Sequence, residues 1–143
     1  MTEPAQTVIC HCLAVRQGAR QVTQFYDRHL APSGLRTTQY SLLNWLGRLG
    51  PVSIHALADA MVMDRTTMGR ALRPLERDGL VRIGPGPDGR TRALSLTEAG
   101  QARLVTAAPF WRQAQEQFEA AYGAEAAQTL RAALARLVAT VPT

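Results

Sequence analysis

Two groups of residues have types and spacing that could do chemistry. Cys10-His11-Cys12 brings two thiols and an imidazole together near the start of the chain. Thiolates and imidazole suit zinc or copper(I), a reactive cysteine would serve as a redox switch, and small packed cysteines would do neither. A metal site has poor geometry, because helical residues two apart point about 200° apart. It would need a frayed helix end or a ligand from a second subunit, so neither a metal nor a cofactor is assigned. No general base is spaced as a Cys-His dyad requires. The chain also has no phosphate loop and no paired carboxylates in a suggestive context, so it is not expected to be an enzyme.

The second group is larger. The chain carries sixteen arginines, no lysine and eleven acidic residues, a net charge of +5. Residues 65–92 hold Arg65, Arg70, Arg73, Arg77, Arg82, Arg90 and Arg92 against Glu76, Asp78 and Asp88, a surplus of four. The stretches on either side are nearly balanced. Arginine-favouring codon usage accounts for the missing lysines but not for the clustering. A basic patch of this density is the footprint of a protein that meets a polyanion.

The elements that must position these residues are mostly helical. A chain of 143 residues fits one domain, 1–143, and is long enough to bury a core without disulfides. An apolar fraction of 46% excludes global disorder. The longest apolar stretches fall far short of a membrane span of about 20 residues. No basic-then-apolar leader opens the chain, so a cytoplasmic protein with no membrane partner is expected. Val8, Cys12, Val15, Ala19, Val22 and Tyr26 recur at three and four residues, predicting a helix over 7–30. Further helices are predicted over 37–49, burying Tyr40, Leu43, Leu46 and Trp45, then from Ser53 through Met61, and from Asp64 to Arg77. Ser53 and Asp64 have N-cap chemistry. Two short β-prone runs, 80–83 and 91–96, flank a Gly/Pro-rich segment and read as a hairpin. Thr97 caps a long helix that Pro109 is expected to kink or divide. A last helix over 124–140 sets Leu130, Leu134, Leu137, Val138 and Val141 on one face.

Helix, tight turn, helix and β-hairpin, with the basic surplus on the last two, form a winged helix-turn-helix pattern. The fold expected is mainly α with a small β-hairpin wing. In the 64–77 helix Met68, Ala71, Leu72 and Leu75 face inward, leaving Arg65, Thr66, Gly69, Arg70 and Arg73 outward. Such a helix fits the major groove of double-stranded DNA, and a thin arginine-tipped loop fits a narrow minor groove. The expected DNA-binding residues are Ser53, Asp64, Arg65, Thr66, Thr67, Arg70, Arg73, Asp88, Gly89, Arg90 and Arg92. The first and last helices have more apolar face than a small DNA lobe can cover, which points to a homodimer.

Several stretches together resemble the MarR family of bacterial transcription factors. They are Leu57-Ala58-Asp59-Ala60-Met61, Met63-Asp64-Arg65-Thr66-Thr67-Met68 and Leu72-Arg73-Pro74-Leu75-Glu76-Arg77-Asp78-Gly79-Leu80-Val81. The most specific piece is Asp88-Gly89-Arg90-Thr91 followed by Leu96-Thr97-Glu98-Ala99-Gly100. The resemblance implies a homodimer built from N- and C-terminal helices (5–31 and 98–143), with a DNA lobe over 35–97. It implies a repressor of a pseudo-palindromic operator, relieved by a ligand or an oxidant, with Arg90 in the minor groove and Asp88 holding a neighbouring arginine. Two positions depart from the family pattern. Val62 stands where the turn often has glycine, so a tighter or more helical turn is expected, and Pro74 lies inside the recognition helix, where a bend is expected.

The resemblance also implies a pocket for a small aromatic or phenolic effector. Tyr26, Trp45, Phe110, Trp111 and Phe118 are its candidate lining, and plain core packing is the alternative for them. Cys10 and Cys12 complete the candidate redox or effector site. Cys12 and Tyr26 have the fourteen-residue spacing of the family's organic-hydroperoxide sensors, although Arg16 and Thr37 replace that branch's other tyrosines. A peroxide sensor is therefore one alternative; a helical interaction module or a thiol enzyme is another.

Overall fold

The computed structural model describes residues 10–143. Helix α1 spans His11–Leu30 and passes through a 3-10 turn, Ala31–Ser33, into α2, Thr37–Leu49. Strand β1, Val52–Ser53, then leads into α3, Ile54–Met61, and α4, Arg65–Arg77. The hairpin β2, Val81–Pro85, and β3, Arg92–Leu96, precedes α5, Glu98–Tyr122, and α6, Ala124–Thr140. Residues 7–9, expected to open the first helix, lie outside the described residues.

The core forms where the helical stripes meet the sheet. Leu42, Leu43 and Leu46 of α2, Leu57 of α3, Met68, Leu72 and Leu75 of α4 and Leu94 of β3 are each at most 1% exposed. The sheet has the order β1-β3-β2 and is antiparallel throughout. In its register Val81 faces Leu96 and Pro85 faces Arg92. Strand β1 has only two residues, pairing Val52 with Leu94 and Ser53 with Ala93. Two residues carry no readable alternation, so only the hairpin was expected.

Three expectations are corrected. Helix α5 runs undivided through Pro109. Proline removes one helical hydrogen bond and frees the carbonyl four residues earlier, that of Val105, and both residues are exposed, so the lost bond falls on the solvent side of the helix. Helix α4 also includes Pro74 without a break. Val62 ends α3 in the left-handed region, φ 53° and ψ 46°, so the turn keeps the glycine-type geometry despite the valine. Trp45 lies off the stripe of Tyr40, Leu43 and Leu46 and is 38% exposed.

The apolar faces of the terminal helices remain uncovered in the single chain. Leu13 and Val15 of α1, and Leu134, Leu137 and Val138 of α6, are all exposed. Tyr26 and Val22 of the predicted α1 stripe are half-buried, while Cys12 and Ala19 are exposed.

Candidate nucleic-acid interface

Helix α4 is fixed by its N-cap. Asp64 Oδ1 accepts the Thr67 N–H at 2.7 Å, and Oδ2 accepts the Thr67 hydroxyl at 3.0 Å. The first of these bonds satisfies a donor that the helix start leaves unpaired. The Thr67 N–H, more than any other group, holds the Asp64 carboxyl below its ordinary range. Met68, Leu72 and Leu75 anchor the opposite face in the core. Arg65, Thr66, Thr67, Arg70 and Arg73 are therefore displayed outward, and all are exposed. A Cβ added at Gly69 would meet nothing within 4 Å, so the backbone there can approach a partner closely.

Ser53 plays a supporting part. Its hydroxyl accepts the Ala56 N–H at 3.0 Å and so caps α3. Among the expected contact residues, Ser53 and Asp64 thus have their side chains occupied in positioning helices.

The wing tip is equally determined. Gly86 N–H donates to the Thr91 carbonyl at 2.6 Å, and Gly89 N–H to the Gly86 carbonyl at 3.0 Å. Gly89 takes φ 71°, a region that suits glycine. Asp88 Oδ1 accepts three bonds, from Arg90 N–H at 3.0 Å, Thr91 N–H at 3.2 Å and the Thr91 hydroxyl at 3.0 Å. Asp88 therefore holds the tip, its neighbour Arg90 included, through the backbone. Those bonds, the Arg90 N–H foremost, keep its carboxyl below the ordinary range. Arg90 and Arg92 project into solvent.

The surface charge is available. Among the described residues the ion pairs are His55–Asp59 at 3.4 Å and Arg77–Asp78 at 3.6 Å. Arg65, Arg70, Arg73, Arg90 and Arg92 have no carboxylate partner among the described residues. Unpaired guanidiniums on one helix and one thin hairpin can neutralise phosphates and read base edges.

A second feature lies away from this surface. A cavity of about 700 Å³ opens between α1, α5, α6 and the first turn of α2. Tyr26, Trp111 and Phe118 line it, together with Glu119 and Arg131. The Tyr26 hydroxyl donates to Gln115 Oε1, and burial, aided by Glu119 and opposed by Arg131, raises its pKa. Trp111 is braced from behind by Tyr40, stacked at 5.8 Å and 19°. Among the described residues Phe110 packs against the core instead, and neither Phe110 nor Trp45 belongs to the lining.

Cys10 and Cys12 are free and exposed. Among the described residues no three His, Cys, Asp or Glu side chains come together as an ion would need. Cys12 and Tyr26 share α1, where fourteen residues span about 21 Å. They cannot meet within one chain.

The comparisons agree with this geometry. The MarR family model matches residues 33–91. The homoprotocatechuate degradative operon repressor of Escherichia coli is 32% identical over 123 residues, covering 85% of this chain and 83% of that protein. An uncharacterised HTH-type transcriptional regulator of Bacillus subtilis is 27% identical over 89 residues, which is 62% of this chain and just under two thirds, 65%, of its own length. Among solved structures, the M. tuberculosis transcriptional regulator MosR in complex with DNA is 35% identical, with a TM-score of 0.77 over 93% of this chain and 100% of that one.

Proposed function

This chain belongs to the MarR family and is a DNA-binding transcriptional regulator; we propose that it is a repressor that holds a pseudo-palindromic operator as a homodimer and is released by a small aromatic effector. The observation that carries the DNA reading is the set of exposed arginines on α4 and the wing, Arg65, Arg70, Arg73, Arg90 and Arg92, that have no carboxylate partner among the described residues. Residues 35–97 form the DNA-binding lobe in this reading, and 5–31 and 98–143 the dimer helices. Arg65, Thr66, Thr67, Arg70 and Arg73 meet the major groove, and Gly89, Arg90 and Arg92 follow the backbone into the minor groove. Ser53, Asp64 and Asp88 position them.

The exposed apolar residues of α1 and α6 support the dimer. A monomer rarely exposes contiguous stripes of this kind, and a two-fold pairing sets the recognition helices about 34 Å apart, one turn of DNA. Among the described residues no helix is long and apolar enough to cross a membrane, which fits a regulator that works in the cytoplasm.

The effector reading rests on the cavity. Trp111 and Phe118 offer flat apolar faces, and Arg131 and the Tyr26–Gln115 pair supply polar anchors for hydroxyl or carboxylate groups. The E. coli relative is named for an operon that degrades a dihydroxylated aromatic acid. An aromatic or phenolic acid is thus the effector class assigned. The peroxide-sensor alternative is weaker, since Cys12 would have to find its tyrosine on another subunit.

The deciding experiment is a gel shift of the pure dimer on DNA upstream of its own gene, with homoprotocatechuate titrated in. A sequence-selective, salt-sensitive shift is expected, and release by the acid at concentrations that leave a Trp111→Ala variant bound. Absence of any selective shift would refute the DNA reading. A selective shift indifferent to the acid and to related phenolic acids would refute the effector class alone.

A further inference from the structure

The junction between α1 and α2 is held by side chains from outside it. Asp27 Oδ1 on α1 accepts the N–H of Thr37, the first residue of α2, at 2.8 Å. That N–H is one of the donors a helix start leaves without an internal partner. The residue in the N-cap position is Arg36, whose side chain offers no acceptor. The acceptor therefore comes from the preceding helix, ten residues back. From the other side, Arg103 Nη1 of α5 donates to the Ser33 carbonyl at 3.4 Å. Ser33 itself is buried, its hydroxyl donating to the Leu30 carbonyl at 2.6 Å and accepting the Leu35 N–H at 3.3 Å.

This junction sits between the two functional regions. Thr37 lines the cavity, and Asp27 directly follows Tyr26, another lining residue. The far half of α2 lies in the DNA lobe, where Leu42, Leu43 and Leu46 join the core with Leu57 and Met68. Near its end, a Cβ on Gly47 would lie 3.5 Å from Leu96 of β3. Helix α2 has thirteen residues, about 20 Å of rigid rod. A tilt of about 5° at Thr37 moves its other end by roughly 2 Å, enough to carry the recognition helix and wing out of register over that lever length.

We propose that the hydrogen bond from the Thr37 N–H to the Asp27 carboxylate is the link through which occupation of the cavity sets the angle of the DNA lobe. It rests on the reading of the cavity as the effector site. Asp27 is a positioning residue: it touches neither DNA nor effector, and acts through the start of α2. A ligand that pushes on Thr37 or Tyr26 strains this bond, and α2 tilts when it opens. A link of this kind has only to shift the balance between two lobe angles.

The test uses a built-in occupant, so that it does not depend on knowing the effector. Gly18 lines the cavity, and a Cβ there meets nothing within 4 Å, so Gly18→Phe fills the space with a ring. Two variants cut the link from opposite ends. Asp27→Ala removes the acceptor. Thr37→Pro removes the donor at a first helical position that tolerates proline, after Arg36, whose ψ of 160° suits a residue preceding proline. Operator affinity is measured by fluorescence anisotropy, with dimer mass and thermal melting checked for every variant, so that if Asp27→Ala does not fold Thr37→Pro still decides.

Gly18→Phe is expected to weaken operator binding about tenfold or more in the otherwise native chain, within the range of coupled sites. It should weaken binding less than about twofold further once either cut is present, as a shared route requires. An equal loss in native and cut backgrounds would overturn the link and leave the cavity reading intact. No loss in a folded native-background dimer would overturn both. A purely structural Asp27 would lower the melting temperature without changing that ratio.

Discussion

The carboxylate of Asp88 accepts the backbone N–H of Arg90 at 3.0 Å, so the wing's acidic residue shapes the path of its basic one. The guanidinium is left without a carboxylate partner among the described residues. An acid that paired with it would cancel the charge meant for DNA; one that holds the backbone leaves that charge free. Asp88→Ala is therefore expected to weaken operator binding several-fold, and Asp88→Asn, which keeps a side-chain acceptor, much less. Anisotropy titrations of the two variants check this. Equal losses would show that the carboxylate's charge matters more than its bonds.

The pH dependence follows from the same bonds. Asp64 and Asp88 both have carboxyls lowered below the ordinary 3.8, each chiefly by a backbone N–H. A group depressed on folding contributes stability above its unfolded value and loses it as pH falls through the folded one. The two caps should therefore be fully formed above about pH 5, and begin to weaken only near and below pH 4. Amide exchange at Thr67 and Thr91 followed from pH 6 to pH 3 is the measurement. Loss of protection already at pH 5 would contradict the assignment.

Arg90→Ala should weaken operator binding and flatten its dependence on salt. One phosphate contact contributes a slope of about 0.9 in log affinity against log salt, so the change expected is about that or less. Affinity and slope both unchanged would show that the wing arginine does not reach the backbone or the groove.

Val62 offers a test of stability without function. It is 64% exposed and holds a left-handed conformation, which costs a β-branched residue about 1–2 kcal/mol. Met63 N–H to the Ala58 carbonyl at 2.9 Å and Val62 N–H to the Asp59 carbonyl at 3.1 Å enforce it, the pattern of a Schellman end. Val62→Gly relieves the strain but loosens the unfolded chain by about 0.5–1 kcal/mol. A net gain of about 0.5–1 kcal/mol is expected, a rise in melting temperature of roughly 1–4 °C. A lower melting temperature would refute the strain.

Val62 also shows where sequence reading stops. Helix α2 was legible to its ends, because Leu43 and Leu46 mark a stripe and Gly50-Pro51 closes it. The caps at Ser53, Asp64 and Thr97 were legible because a short oxygen-bearing side chain just before an apolar stripe has one favoured use. Val62 was not: residue preference argued against a positive φ, and the hydrogen bonds around the turn outweighed it. Pro109 misled for a related reason, since a lost bond facing water is cheap. The apolar faces of α1 and α6 were visible as periodicity, but periodicity does not say what covers them. Asp88 was legible as a residue that holds its neighbouring arginine, but not which group it holds, because its spacing from Arg90 fits a backbone bond and a side-chain bond equally well.

The Leu-Thr-x-x-Gly stretch carries the last prediction, because its Leu96, Thr97 and Gly100 meet the same corner. Thr97 Oγ1 donates to the Gly79 carbonyl at 2.6 Å and accepts the Gly100 N–H at 3.0 Å, while Thr97 N–H reaches the Leu80 carbonyl at 3.2 Å. The start of α5 is thereby pressed against the chain that leaves α4 for the wing. At Gly100 a Cβ would collide with the Leu80 carbonyl and sit 2.7 Å from Leu96 Cδ1. The carbonyl is backbone and already bonded, so it cannot yield as a flexible side chain would. Gly100→Ala should cost about 1–3 kcal/mol, as overpacking does, lowering the melting temperature by roughly 3–10 °C. It should also weaken operator binding, because relief of the collision moves α5 away from the exit of α4 and shifts the hinge of the wing. Unchanged melting would mean the corner is looser than its contacts indicate, whereas lower melting with native operator affinity would mean that the wing does not depend on it.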